Sequence, residues 1–486
     1  MSHLKIAMSD VIWTPQPRQL AFMERPEYEA LYGGAAGGGK TDTAIIELLR
    51  QVHIPHYKAI LLRKTFPQLS EVIDRSRTLY KQIFPKARYN GTEHCWHFPS
   101  GAQIYFGSMQ HTQDRINYQG KAYDVVIFDE LTHFTWDEYS YMFSRNRPTG
   151  PGTDVYIRAT TNPGGVGHGW VKDRFITAAP PMTTIWEKRK IIDDKGNAIT
   201  VSRDRIFVPA TVFDNQELLK NNPEYLASLS MMPEADRNAL LYGSWDSFDG
   251  QVFREWKNDS AHYDDHRYTH VINPFKIPSH WKVYRLFDWG YTRPFAVLWM
   301  AVSPEKYKYI IREYYGCTGD PNKGLQMHHV DVAEHIREIE QTDPNLINRD
   351  IIGVADPAIF EKSRGTSIAD DMAASPNYVV WTAGDHKRIP GKMQIHYHLA
   401  FDSNGYPMLQ VFNTCRNLIR TLPSLTYDES DVEDVDSDLE DHIYDCLRYG
   451  LMAHPITPRK NEAEPIPAWD PLNMYQSKIK TFNHLL

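Results

Sequence analysis

At 486 residues the chain is too long for one ordinary hydrophobic core, so two or three domains are expected, and its 42% hydrophobic and 23% charged content excludes a disordered or fibrous protein. Four scattered cysteines (Cys95, Cys317, Cys415, Cys446) exclude a disulfide framework or a C-x-x-C zinc site, and no stretch nears the roughly 18 uncharged apolar residues of a membrane helix; with no signal-peptide core at the N-terminus, a cytoplasmic setting is expected. The net charge of −8 does not exclude nucleic acid, because residues 428–445 carry ten acidic and no basic side chains and the near-neutral remainder can hold a basic channel.

The first informative stretch runs from Trp13 to Met23 and carries Gln16 and Gln19 among aromatic and apolar residues. A glutamine amide both donates and accepts, which suits the edge of adenine, and an aromatic neighbour can stack on the base. Gln19 is the first candidate for that contact and Gln16 the second, beside the plainer reading of a turn leading into a helix.

Tyr28 to Tyr32 is an apolar run suited to a buried strand, and Ala44 to Leu49 has helical spacing. Between them Gly34-Ala35-Ala36-Gly37-Gly38-Gly39-Lys40-Thr41 has the G-x-x-x-x-G-K-T form of a P-loop. Glycines turn backbone N–H groups around phosphate oxygens, and the following helix directs its positive end at them. Lys40 is then expected on the β- and γ-phosphates of ATP, and Thr41 on Mg²⁺.

Further strands are expected at Lys58–Lys64, which ends in a basic pair, and at Gly101–Ser108, with a helix over 68–83 between them. Tyr123-Asp124-Val125-Val126-Ile127-Phe128-Asp129-Glu130 is an apolar strand ending in two carboxylates, the form of a Walker B strand. Asp129 is the candidate for the Mg²⁺ shell, and Glu130 for orienting and deprotonating the attacking water. A strand over Val155–Thr161 stops at Thr160, Thr161 and Asn162, polar groups fit to sense a γ-phosphate at a strand end. Strands linked by helices predict a doubly wound α/β domain with its site at the carboxyl edge.

Short helices are expected from Pro209 to Asp246, forming a small lid, and the aperiodic stretch 247–280 contains a domain boundary near residue 260. Lys282–Gly290 then reads as a strand ending at Asp288. Strands at 296–302 and 307–313 follow, then a helix around 325–340. Ile351–Ala358 is another buried strand ending in a carboxylate, Asp356, and Glu440–Leu451 reads as a helix with Asp441 and Asp445 one turn apart on one face. Two strand-end carboxylates and a helical one are what a fold needs to hold two Mg²⁺ on a phosphodiester. The order of elements resembles the ribonuclease H-like nuclease fold. The expected divisions are an ATPase core over 1–208, a lid or linker over 209–260, a nuclease over 261–455 and a mobile tail over 456–486.

The whole series, from the upstream glutamines through P-loop, Walker B, Thr-Thr-Asn-Pro-Gly-Gly, Ala-Asp-Pro and Asp-His-x-x-Asp-x-x-Arg-Tyr, resembles the large terminase subunit of tailed bacteriophages over roughly residues 13–452. The resemblance implies an ATP-driven motor that threads double-stranded DNA through a portal into a procapsid, and a nuclease using Mg²⁺ or Mn²⁺ that cuts concatemers. It implies a homo-oligomeric ring, a small terminase subunit as partner, and action in the host cytoplasm with no membrane. It assigns the Walker roles to Gly34, Gly37, Gly38, Gly39, Lys40, Thr41, Asp129 and Glu130, the coupling role to Thr160, Thr161 and Asn162, and the metals to Asp288, Asp356 and Asp445. A helicase or recombination-type ATPase with an attached nuclease is the alternative, and it normally carries a second RecA-like lobe.

One departure matters: Ala35 and Ala36 stand where many relatives carry a P-loop arginine. Arg145 and Arg147 after the Walker B strand, or Arg115 before it, are then the candidates for an arginine finger, the first two expected on a rim that faces a neighbouring subunit. The acidic segment Asp428–Asp441 is expected to repel a DNA backbone and so restrain the nuclease.

Overall fold

Strand β1 (Glu29–Gly34) and the loop that follows it lie within a nine-stranded sheet, formed with β2 (Lys58–Arg63), β3 (Arg88–Asn90), β4 (Cys95–His97), β5 (Gln103–Ser108), β6 (Val125–Phe128), β7 (Tyr156–Thr161), β8 (Ile185–Ile192) and β9 (Ala198–Ala210). The protein is seen here as a computed structural model that describes residues 12–456, apart from 247, 249, 363, 364, 429, 430, 432 and 438 and the side chains of 234 and 235. The expected C-terminal tail therefore lies outside the described residues except for Ile456.

The sheet order is β3-β4-β5-β2-β6-β7-β1-β9-β8, and the six strands from β5 to β9 are mutually parallel. Strands β1, β6 and β7 are buried at every position, which is why they read as continuous apolar runs rather than alternating ones. The order inserts β7 between the P-loop strand and the Walker B strand. Thr160, Thr161 and Asn162 thereby fall between Lys40 and Asp129-Glu130.

Strands β8 and β9 are not marked in the sequence pattern. They form a long antiparallel hairpin whose outer part is exposed on both faces, so no hydrophobic alternation marks it; only the end of β9, Ile206 to Val208 and Ala210, is buried, beside β1. The short helices Gln216–Asn221, Glu224–Ser230 and Glu234–Leu240 follow, and their apolar cluster packs on Ala36 of the loop.

The second sheet contains β10 (Val271–Ile272), β11 (Lys282–Asp288), β12 (Ala296–Val302), β13 (Lys308–Tyr315), β14 (Ile351–Ala355), β15 (Thr382–Ala383) and β16 (Leu409–Phe412) in the order β10-β16-β13-β12-β11-β14-β15. β11, β12 and β13 are an antiparallel meander and β14 runs parallel to β11, the ribonuclease H-like arrangement. The helix after β13 begins at His329, later than the expected 325. Helix His442–Ala453 lies against β11 through Gly450, where an added Cβ would meet Leu286 Cδ1 at 2.3 Å. A larger residue there would lift the helix, and Asp445 with it, off the sheet. Val252, Phe253 and Trp256 pack in this second core, ahead of the boundary expected near residue 260.

Two buried histidines tie chain segments together as neutral rings. His168 Nδ1 accepts from Gly164 N–H (3.0 Å) and its Nε2 faces the Trp245 carbonyl (3.1 Å); His270 Nδ1 accepts from Lys257 N–H (2.9 Å) and its Nε2 faces the Leu399 carbonyl (2.8 Å). Burial pushes His168 down to about 3 and His270 down to about 4. The unfolded chain therefore takes up protons below pH 6.5 that the folded rings refuse, so stability is intact above that value and falls as the pH drops towards 4 and 3. For His270 the loss between pH ~7 and ~5 is about 2 kcal/mol. Urea unfolding at both pH values should show a smaller acid loss in His270→Gln than in the wild type; equal losses would mean that His270 does not carry it.

Candidate functional site

Two clusters of chemically capable side chains lie at the carboxyl edges of the two sheets. At the first, β1 approaches β7 so closely that a Cβ on Gly33, whose φ is +131°, would meet the Thr161 carbonyl at 2.3 Å. The next turn carries the loop, and its carbonyls are held from outside: Asn215 Nδ2 donates to Gly37 O (2.7 Å), the Tyr32 hydroxyl to Gly38 O (3.0 Å) and Gln19 Nε2 to Gly39 O (3.0 Å). In a trans peptide the N–H points opposite to the carbonyl, so these three bonds direct the N–H groups of Gly38, Gly39 and Lys40 away from the holding side chains. That is a backbone cradle for an anion at the start of helix Lys40–Glu47, whose first turn includes Thr41.

Gln19 is the anchor of helix Pro17–Met23 on this loop. Its Oε1 also accepts from Gln16 N–H (2.7 Å), and the side chain is buried. Its amide is thus engaged with protein on both sides rather than presented to a base.

Lys40 is 7% exposed, and its ammonium donates to Ala35 O (2.6 Å) and Asn162 Oδ1 (2.8 Å). Burial lowers its proton affinity, while Glu130 and Asp129 act in the other direction. Asn162 Nδ2 reaches both carboxylate oxygens of Glu130 at 3.3 Å. Glu130 has a left-handed backbone, φ +61°, and its N–H donates to Thr160 Oγ1 (3.1 Å). The Thr160 hydroxyl donates to Asp129 Oδ1 (2.5 Å), and Arg63 Nε to Asp129 Oδ2 (2.8 Å). Lys40, Asn162, Glu130, Thr160, Asp129 and Arg63 form one connected polar network. Thr161 stands apart, its hydroxyl bonded to the Asn162 carbonyl (3.0 Å).

Three residues at this edge leave little or no trace in the sequence: Arg63 in the network, and Tyr32 and Asn215 on the loop carbonyls. Arg63 closes β2, three strands from β1 and its loop but next to β6, and the basic pair at that strand end was its one trace in the sequence. Tyr32 and Asn215 left none, since a buried strand tyrosine and a helix-capping asparagine are commonplace.

Arg145 and Arg147, expected on a rim that faces a neighbouring subunit, lie away from this edge. Tyr123 N–H donates to Arg145 O (2.9 Å) and Arg147 N–H to Tyr123 O (3.1 Å), so both sit at the amino end of β6, opposite the edge that carries the loop. The chain returns there because helix Trp136–Tyr141 runs back along the sheet. Arg115 and Arg145 flank the Tyr141 ring at 5.7 and 5.0 Å, and Arg115 is 3.9 Å from Asp137.

At the second sheet Asp288 ends β11, and Asp356 follows the parallel β14 with its N–H bonded to Phe287 O (3.0 Å). Asp445 lies in the first turn of helix His442–Ala453, with its N–H on the Asp441 carbonyl (2.9 Å). Burial, then the nearby Asp445 and Asp356, raise the proton affinity of Asp288. Asp441 is the fourth: burial and Asp445 raise it to about 7. Crowded hard oxygen donors that repel one another suit divalent cations. As arranged, however, no three His, Cys, Asp or Glu side chains among the described residues converge as a metal-binding group. Asp445 faces guanidinium groups instead: Arg448 Nε and Nη2 lie 2.9 Å from its Oδ1, and Arg388 Nη1 lies 3.5 Å from its Oδ2.

Residues 31–257 match the family model of the terminase large subunit, T4likevirus-type, N-terminal. No curated protein matches the chain. Among solved structures, the large terminase of a thermophilic bacteriophage in complex with ADP is similar at 16% identity over 90% of this chain and 98% of that one, with a TM-score of 0.37. The HK97 bacteriophage large terminase is similar at 11% identity over 90% and 94%, TM-score 0.42, and the P22 large terminase nuclease domain at 15% over 42% and 92%, TM-score 0.31.

The Asp129 carboxylate is fully buried, and Arg63 is the cation that meets it. Arg63→Met strands that charge and should lower stability by roughly 1–3 kcal/mol, with partial recovery in Arg63→Lys. Denaturant unfolding checks this; unchanged stability in both variants would show that the pair contributes nothing to the fold.

Proposed function

From the match of residues 31–257 to the terminase large subunit family model we propose that this protein is an ATP-driven motor that moves double-stranded viral DNA through a portal into a procapsid and cuts concatemeric DNA. The observation that carries the reading is the wiring of a P-loop lysine through Asn162 to Glu130, in one chain with a second sheet at whose carboxyl edge Asp445 and Asp356 raise the proton affinity of Asp288. The antiparallel meander of that second sheet is not a parallel RecA-like lobe, which weighs against a helicase.

In this reading the backbone of Gly34 and Gly37 to Gly39 cradles the phosphates of ATP, and Gln19 keeps the loop in shape for the base and phosphates. Lys40 is drawn onto the β- and γ-phosphates, which takes it off Asn162 and releases Glu130 to orient the attacking water and accept its proton. Loss of the γ-phosphate restores the bonds among Lys40, Asn162 and Glu130, so the coupling segment Thr160 to Asn162 reports the nucleotide state to the rest of the domain. Thr41 and Asp129 would hold Mg²⁺, which would screen phosphate charge, and Asp288, Asp356 and Asp445 would hold Mg²⁺ or Mn²⁺, which would supply an activated water for phosphodiester cleavage. Arg448 keeps Asp445 facing its partners.

The proposed divisions are an ATPase core over 1–208, a lid over 209–260, a nuclease over 261–455 and a tail over 456–486, with 252–256 contributing to the nuclease core. The motor acts in the host cytoplasm as a ring on the portal, with a small terminase subunit as partner. No helix of the described residues is long and apolar enough to cross a membrane. Arg63 supplies positive charge beside Asp129 in the same subunit, and Arg115, Arg145 and Arg147 are the groups available to a neighbour.

Glu130→Gln should abolish ATP turnover and packaging while nucleotide binding and DNA cleavage persist, and Asp356→Asn should do the reverse. Parallel ATPase and Mn²⁺ cleavage assays decide it: wild-type cutting by Asp356→Asn removes that residue from the metal set. For a finger acting between subunits, Glu130→Gln protein mixed with Arg115→Ala, Arg145→Ala or Arg147→Ala protein should regain turnover. Turnover that stays absent in every mixture, with wild-type activity independent of concentration, returns the charge to the same subunit.

A further inference from the structure

Two arginines meet the carboxylates of the second sheet, and they differ in kind. Arg448 is 2% exposed and grips one oxygen of Asp445 from inside the core, as an orienting residue does. Arg388 opens helix Arg388–Leu399 and is about one-third exposed, its side chain at 31%. Its Nη1 lies 3.5 Å from Asp445 and its Nη2 lies 3.8 Å from Asp441. Its closest contact is made elsewhere: Nε donates to Asp434 Oδ2 at 2.5 Å, and Nη2 to the Val435 carbonyl at 3.1 Å.

Asp434 belongs to the acidic segment before the catalytic helix, and its position is fixed by folded structure. Asp428 N–H donates to the Asp434 carbonyl (3.0 Å), Asp434 N–H to the Asp431 carbonyl (2.9 Å), and Val435 is buried in the second core. One turn along the helix from Arg388, Lys392 donates to the Glu433 carbonyl. Glu433, Asp434 and Val435 are therefore clamped on a basic helix start beside Asp445, rather than repelling DNA only from a distance.

A guanidinium offers a carboxylate and a phosphate the same two-pronged arrangement of donors. The rim around Asp288, Asp356, Asp441 and Asp445 repels a DNA backbone, so a strand entering it needs a cation to receive a phosphate. We propose that Arg388 is a DNA-phosphate ligand of the nuclease site and that Asp434 holds it in the free protein as a stand-in for that phosphate. DNA and Asp434 compete for one guanidinium, and nuclease engagement requires the acidic segment to let go. This rests on the nuclease reading above.

The test measures duplex DNA binding by fluorescence anisotropy in EDTA, where cleavage does not enter, across a salt series. Asp434→Asn should tighten binding roughly three- to tenfold and steepen the salt dependence by about one phosphate contact. Arg388→Gln should weaken binding and make the slope shallower by about the same amount, with Arg388→Lys between, and the double variant should match Arg388→Gln. Asp431, whose carboxylate accepts from Glu433 N–H in the same segment, is the control: Asp431→Asn should leave binding near the wild type. Thermal melting of each variant confirms folding. If Asp431→Asn tightens binding as much as Asp434→Asn, or the Asp434→Asn gain survives in the Arg388→Gln background, diffuse repulsion replaces the phosphate site. Cleavage in Mn²⁺ read alongside separates the two claims: a flat binding cycle with Asp356-dependent cutting overturns this proposal alone, and cutting that ignores Asp356 overturns the nuclease reading.

Discussion

A buried ammonium costs several kcal/mol unless protein acceptors and opposing charge compensate it, and the first sheet is built around meeting that need for Lys40. Ala35 O and Asn162 Oδ1 receive it, and Glu130 and Asp129 supply the opposing charge nearby. Asn162 is available because β7 lies between β1 and β6, and it meets Glu130 because the Glu130 backbone turns left-handed directly after the strand. Strand order, backbone strain and the polar network are one arrangement. An amide that bridges an ammonium to a carboxylate is also easily redirected, because anything that attracts the ammonium leaves the carboxylate free.

The second sheet solves the opposite problem, too many carboxylates in one place. Asp288, Asp441 and Asp445 repel one another, and the fold tolerates this by raising proton affinities and by bringing in Arg388 and Arg448. Both arginines depend on helix His442–Ala453 lying low on β11, which Gly450 permits. The energy stored in like charges becomes favourable once cations or protons enter, which makes the site responsive to what binds there.

Charged contacts join the two halves. Arg420 holds Glu440 through two bonds of 2.7 Å and reaches Asp173 of the first half at 3.3 Å, and burial raises Asp173 to about 6 even so. Arg189 of the β8–β9 hairpin meets Asp320 at 3.0 Å. Glu440 directly precedes Asp441, so a shift of the first half against the second bears on the start of helix His442–Ala453.

Much of this was legible in the sequence because its parts are local. Buried parallel strands are continuous apolar runs, a phosphate-binding turn needs glycines at fixed spacing, and a strand-end carboxylate follows its strand directly, so Lys40, Asp129, Glu130, Asn162, Asp288, Asp356 and Asp445 could be named before their neighbours were known. What tertiary structure alone decided were contacts between distant segments. Arg63 meets Asp129 because β2 pairs with β6, and Asn215 and Tyr32 hold the loop because the lid and β1 pass beside it. Gln19 turns onto Gly39 because its helix packs there, and Arg145 and Arg147 fall at the amino edge because one short helix carries the chain back across the sheet. The β8–β9 hairpin escaped notice because a strand exposed on both faces leaves no periodic trace, and Arg388 gave no sign because its partners lie more than forty residues away. Local chemistry is written in adjacent residues, whereas a side chain's partner across the fold is fixed only when strand order and helix packing bring the two together.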